Sequence, residues 1–226
     1  MNYDEILRKI LRKYGDAANN SRVMQEIQRK LVKRTATYAD ANKYAQEIGR
    51  ILTDVLREYL PEALTDGMLY RSAGALLAGP MQTAGKDVGN VAAEIQKQLN
   101  ENAGIGLNAV RPNLNQDQID GIITGICNAS SYEGSVERLM DQVAGFLEGH
   151  VDDFVRENAD FQDRSGLTVM VQRIADAKCC SWCNSLAGTY PYEDVRDKGN
   201  DVWKRHNNCH CQILFDPTGA RRRRGR

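Results

Sequence analysis

The 226 residues are 42% hydrophobic and 27% charged, with 30 basic and 30 acidic side chains in balance. This is the composition of a soluble globular protein with room for one large or two modest domains. The charged stretch Met1–Gly15 excludes a secretory signal and no run approaches the roughly 18 apolar residues of a membrane span, so the expectation is a cytosolic chain with reduced thiols.

Apolar residues at helical spacing (Ile6, Leu7, Ile10, Leu11) predict a short basic helix from Tyr3 to Tyr14, stopped by Gly15. A second helix carries Val23, Ile27, Leu31 and Val32, with Arg22, Arg29, Lys30, Lys33 and Arg34 on a polar side read as a solvated surface. Thr37 and Asp40 form a capping-box pattern, and Tyr44, Ile48, Ile51, Leu52, Val55 and Leu56 then mark a long amphipathic helix ended by Pro61. The alanine- and glycine-rich stretch from Thr65 to Gly89, interrupted by Pro80, reads as packed helix pieces or a hinge.

A helix resumes from about Asp87 to Asn102 on Val88, Val91, Ile95 and Leu99, and the loop 103–112 breaks it. Asn115 and Gln118 cap a helix holding Ile119, Ile122, Ile123 and Ile126. Ser135 starts another with Val136, Leu139, Met140, Val143, Phe146 and Leu147, continuing through His150 to Val155. Cys127 is read as packing. His150 stands among Glu148, Asp152 and Asp153, but these do not all share its helical face and no second histidine completes a site, so it carries no catalytic expectation.

The character changes after Arg164-Ser165-Gly166. Two short apolar runs, Leu167–Val171 and Gln212–Phe215, flank a segment in which five of the six cysteines and two of the three histidines fall within 33 positions. Cys180-x-x-Cys183 and His206-x-x-Cys209 repeat one ligand spacing, and Cys211 follows. A mixed thiolate and imidazole set points to structural zinc, Zn2+, closed on four ligands. A redox pair would need a βαβ setting that is missing here. Cys180, Cys183, His206, Cys209 and Cys211 are the five candidates for four positions; Cys179 and His210 are expected bystanders, each adjoining a ligand. Trp182, Tyr190, Tyr192 and Trp203 are available to cover a core too small to stand without metal.

The fold class expected is therefore mainly α: a helical region over 1–162, with a possible sub-boundary near 61–86, then a small zinc-stapled module with short β-strands over 163–217. A basic tail follows over 218–226, where Arg221, Arg222, Arg223, Arg224 and Arg226 leave the rest of the chain five charges to the negative. These arginines suit salt-dependent phosphate contact with DNA or simple solubility, two readings held equally. There is no internal repeat, phosphate-cradling glycine loop, Gly-x-Ser-x-Gly elbow or His-Glu-x-x-His helix.

The run Cys-x-Trp-Cys-x-x-Leu-x-Gly-x-Tyr from Cys180 to Tyr190, followed by Arg205-His206-Asn207-Asn208-Cys209-His210-Cys211 and an apolar tail, resembles the C-terminal signature of phage minor head proteins of the Mu F-like head morphogenesis family. The usual ending there is Pro-x-His-Pro-x-Cys-Arg-Cys. Here Lys204 and Asn207 replace the prolines and His210 replaces the arginine, so the ligand types survive and the turn-forming residues do not. The resemblance covers about residues 164 to 217. It implies a non-enzymatic, low-copy virion component near the portal or head interior, assembled in the bacterial host cytoplasm. Its partners would be portal or major capsid protein, DNA through the tail, and further copies of itself, with no membrane.

The alternative is a zinc-dependent nuclease or toxin-type effector, since His206-Asn207-Asn208 beside cysteines resembles small metal-finger nucleases. A His206 bound to zinc is not free to act as base, however, and three histidines barely staff two sites. A nucleic-acid-reading zinc module is disfavoured by the acidic residues Glu193, Asp194, Asp197 and Asp201 between the ligand pairs.

Overall fold

The structure, a computed structural model, describes residues 2–206 and 209–217. Six long helices come first: α1 (Tyr3–Asn20), α2 (Arg22–Val32), α3 (Tyr38–Tyr59), α4 (Ala75–Asn102), α5 (Gln116–Cys127) and α6 (Val136–Arg164). The C-terminal part holds β1 (Met170–Ile174), α7 (Ser181–Ser185), β2 (Gly188–Pro191), α8 (Tyr192–Val195) and β3 (Gln212–Phe215). The chain is mainly helical with one small antiparallel sheet of order β2-β1-β3.

Helix α3 is the axis of the helical layer, packing on α1, α2, α4 and α6. Its stripe Ile48, Leu52 and Leu56 is fully buried, as the 3.6-residue period requires. Gly49 lets α6 approach closely, since a Cβ there would stand 3.3 Å from the Ala144 Cα. The expected cap is present: the Asp40 carboxylate accepts the Thr37 backbone N–H (3.0 Å) and also Lys30 Nζ (2.6 Å).

Two boundaries differ from expectation. Gly15 does not stop α1, which runs to Asn20 because Tyr14 and Ala18 continue the buried stripe past it. The stretch read as helix pieces or a hinge is, from Ala75 onward, one continuous helix that passes through Pro80. Pro80 is itself buried, so packing outweighs the single backbone hydrogen bond that the ring removes.

The connection between α4 and α5 is fastened by polar groups. Asn158 on α6 receives Val110 N–H on its Oδ1 (2.8 Å) and donates Nδ2 to the Val110 carbonyl (2.9 Å). Behind it, Tyr38 Oη donates to Gln96 Oε1 (2.7 Å), and Gln96 and Gln162 both donate to Asn100 Oδ1 (2.7 Å each). These buried amides tie α3, α4 and α6 together where apolar packing alone would leave rotation free.

The sheet is seated on the helices. Val171, Ile213 and Phe215 share one buried face, and β3 packs against both α3 and α6. A single buried apolar cluster includes residues from the helical region and from 169–215. Strand β3 occupies the run expected for it, whereas β1 begins three residues later than expected and β2 was not foreseen.

Two tests follow from this packing. Asn158→Ala leaves the Val110 N–H and carbonyl without partners and should cost about 1–3 kcal/mol. Chemical denaturation measures it, and a midpoint equal to wild type would contradict the role of the clamp. The second concerns His150, 5% exposed, whose pKa burial lowers to about 4. A base kept neutral in the fold takes up a proton on unfolding between pH 4 and about 6.5, so its contribution is complete above about 6.5 and is lost as pH falls toward 4. His150→Gln should therefore show a shallower loss of stability over that window, and an unchanged slope would contradict the assignment.

Candidate metal centre

The site is assembled by three local devices. Strand β1 sends Arg173 inward, on the same face as Val171, and a turn follows in which Cys179 N–H donates to Asp176 O (3.0 Å). Cys180 then caps α7: its Sγ accepts the Cys183 N–H (3.5 Å) and its carbonyl accepts the Asn184 N–H (3.0 Å). One turn of helix thereby places Cys180 at the rim and Cys183, 0% exposed, in the interior. A 3-10 turn, Asp201–Trp203, ends on extended Lys204 and leads to His206, and Cys209 and Cys211 stand just before β3.

These elements bring all five candidate ligands together. His206 Nε2 lies 3.3 Å from Cys180 Sγ and 3.1 Å from Cys183 Sγ, and Cys183 and Cys209 Sγ are 3.6 Å apart. The donors form two triads that share Cys183: Cys180, Cys183 and His206, and Cys183, Cys209 and Cys211, each with its ligand atoms within 4.8 Å of one another. Bonds of about 2.3 Å to sulfur and 2.0–2.1 Å to nitrogen give a tetrahedron edges of roughly 3.6–3.8 Å, close to these separations. None of the six cysteines is paired in a disulfide.

The surrounding charge supports an anionic thiolate cluster. Arg173 is 1% exposed, and no carboxylate lies within ion-pair distance of it among the described residues. Its guanidinium instead donates to Cys183 Sγ (3.6 Å) and Cys209 Sγ (3.9 Å), and to the carbonyls of Val202 and Lys204. A buried cation needs a counter-charge. A divalent metal with three thiolates and one imidazole carries one net negative charge, which Arg173 would balance. Trp182 closes the outer side, its ring 5.7 Å from the guanidinium carbon of Arg173 and 5.9 Å from the His206 ring.

Without metal the thiols are pulled in different directions. Burial, reinforced by the neighbouring thiols of Cys209 and Cys211, pushes Cys183 up to about 12. The Cys183 backbone N–H, together with the Cys183 and His206 side chains, brings Cys180 below its ordinary value. For Cys211 burial acts upward, but the Asp176 backbone hydrogen bond and the Cys183 and Cys209 side chains bring the net shift down. A bound metal ion deprotonates its thiol ligands outright, so loading would release protons from this cluster.

A second group of residues, not foreseen from sequence, fastens the ligand loop to α6. Arg205 donates Nη1 to Glu148 Oε2 (2.9 Å) and to the Cys209 carbonyl (3.0 Å), and Nη2 to Asp152 Oδ1 (3.0 Å), with Nε on the other Asp152 oxygen. Burial works against the Arg205 charge, but Asp152 and Glu148 more than offset it and raise its pKa. Glu148, 2% exposed, is raised by burial against the pull of Arg205 and His210. His210 Nδ1 meets Glu148 Oε1 at 2.9 Å, and Cys179 belongs to neither triad. The available signal was the i,i+4 pair Glu148 and Asp152 on one helix face, with His150 on another. The arginines of the tail, Arg221 to Arg224 and Arg226, lie outside the described residues.

Fold and site together define a mainly α-helical protein carrying a small sheet and a cysteine–histidine cluster able to hold a metal ion. The family model described as VG15 protein matches residues 12–225, and the chain belongs to this viral protein family. The curated proteins and the solved structures yield no match. Among the described residues no helix is long and apolar enough to cross a membrane.

Since Cys183 belongs to both triads, Cys183→Ser should abolish metal retention while Cys179→Ser keeps one metal ion per chain, read by native mass spectrometry. Retention of the ion by the Cys183 variant would contradict the shared-vertex arrangement.

Proposed function

We propose that the protein is a minor head protein of a tailed phage or prophage, a structural and assembly component near the portal, with its Cys/His cluster holding structural zinc. The observation that carries this reading is membership of a viral protein family across residues 12–225, in a chain whose run from Cys180 to Cys211 resembles, without its prolines, the ending of phage head morphogenesis proteins. On this reading Cys180, Cys183, His206 and one of Cys209 and Cys211 bind Zn2+, the helical region 1–162 meets portal or major capsid protein, and the arginine tail touches packaged DNA. The division into 1–162 and 163–217 belongs to the same proposal, with the terminal module seated on α3 and α6 through β3 and through Arg205.

A non-catalytic role is the reading favoured by the side chains themselves. His206 turns its Nε2 toward two sulfurs, and His210 is engaged by Glu148. The third histidine, His150, lies on a separate face of α6, so a nuclease site would have to share its imidazoles with the metal cluster.

Quantitative mass spectrometry of purified virions and DNA-free proheads tests the proposal. The chain should be found in both at low copy number relative to the major capsid protein, and should cross-link to portal. Abundant chain in infected cells with none in either particle would overturn the assignment.

A further inference from the structure

Away from the metal cluster, a cleft of ≈ 380 Å³ lies between α4, the connection at residues 111–114, and α6. Its floor is His150. Among the described residues no group partners either ring nitrogen: Nδ1 is sealed from solvent without a hydrogen bond, and Nε2, likewise unbonded, is the nitrogen left open. His150 is 5% exposed, and its ring is held edge-on by Phe154, with centroids 5.2 Å apart and an interplanar angle of 79°. Gly89 makes the opening, because a Cβ there would stand 3.1 Å from Nε2. A histidine buried this deeply with no partner calls for a ligand or water to complete it.

The rim is cationic. Lys86 projects from α4 and Arg111 from the facing connection; neither has an ion-pair partner among the described residues, and no carboxylate lines the cleft. Arg111 is placed by its neighbour Val110, which Asn158 clamps, and its Nη1 reaches across to Asn90 Oδ1 (3.2 Å). One ammonium and one guanidinium above and one imidazole N–H below, without an opposing acid, form a receptor for an oxyanion. The apolar wall around Phe154 and the cleft volume leave space for more than the anion itself.

We propose that this cleft binds the phosphate group of a small molecule, with Lys86 and Arg111 pairing its charge and His150 Nε2–H donating from the floor. The group is supplied either by free inorganic phosphate or by a phosphate monoester whose body lies along Phe154. The site is independent of the metal cluster and of the head-protein assignment.

The test is titration of the full-length protein with inorganic phosphate and, separately, with uridine 5′-monophosphate, following the His150 imidazole ¹⁵N signals and the heat of binding. Saturable binding that shifts the His150 signals, and that weakens by about tenfold or more in Lys86→Ala/Arg111→Ala, supports the site. These are exposed positions, so the double variant should fold, as its circular dichroism can verify. Binding of both probes identifies phosphate itself as sufficient, and binding of the monophosphate alone identifies the ester. Silence of the His150 signals with both probes, or affinity unchanged in the double variant, would overturn the proposal.

Discussion

Two arginines, Arg173 buried and Arg205 largely withdrawn from water, set the terms on which the C-terminal part can fold. Arg173 and Arg205 both leave water, and a guanidinium cannot discard its proton to escape the cost. Arg205 meets the carboxylates of Glu148 and Asp152 and so binds the ligand loop to α6. Arg173 meets sulfur, which is a sufficient counter-charge only when the sulfurs are thiolates. Burial alone would keep Cys183 protonated, so the site is electrostatically complete when a metal ion holds the thiolates in place. Metal, Arg173 and the seating of the sheet on the helices are consequently linked.

That linkage explains how a sheet of three short strands can persist. Each strand is four or five residues long, and the buried face contributed by Val171, Ile213 and Phe215 is small. The cluster adds a second fastening, through Arg173 of β1 to the sulfurs of Cys183 and Cys209, beside the apolar contact of β3 with α3 and α6. The body to which it is fastened is strengthened in a different way, by amide networks around Asn100 and Asn158 within an apolar core. For the assembly role proposed above, such a construction offers rigid helical surfaces and a terminal module whose orientation is held by charge pairs.

Much of this was legible in the residues because it depends on local pattern. The apolar stripes of α3, α5 and α6, the Thr37–Asp40 and Asn115 caps and the strand Gln212–Phe215 all stand where their spacing puts them. The ligand types also announced themselves, since thiols and imidazoles so concentrated have few other uses. What escaped depends on partners distant in sequence. Gly15 costs α1 about 1 kcal/mol against alanine, and only the tertiary packing of Tyr14 and Ala18 shows why the helix continues. Strand β1 starts late because the chain first closes the end of α6, with Gly166 at φ +83° and Leu167 N–H returning to Gln162 O (3.1 Å). Arg173 and Arg205 read as ordinary charged residues until the sulfurs and carboxylates facing them are seen.

The central claim is that Cys183 anchors a single metal ion completed by Cys180, His206 and one thiolate from Cys209 or Cys211. X-ray absorption at the zinc edge on protein purified with its native metal measures this directly. The account predicts three sulfur scatterers at about 2.3 Å and one imidazole nitrogen at about 2.0–2.1 Å. A shell of oxygen and nitrogen without sulfur, or purified protein devoid of any metal, would contradict it.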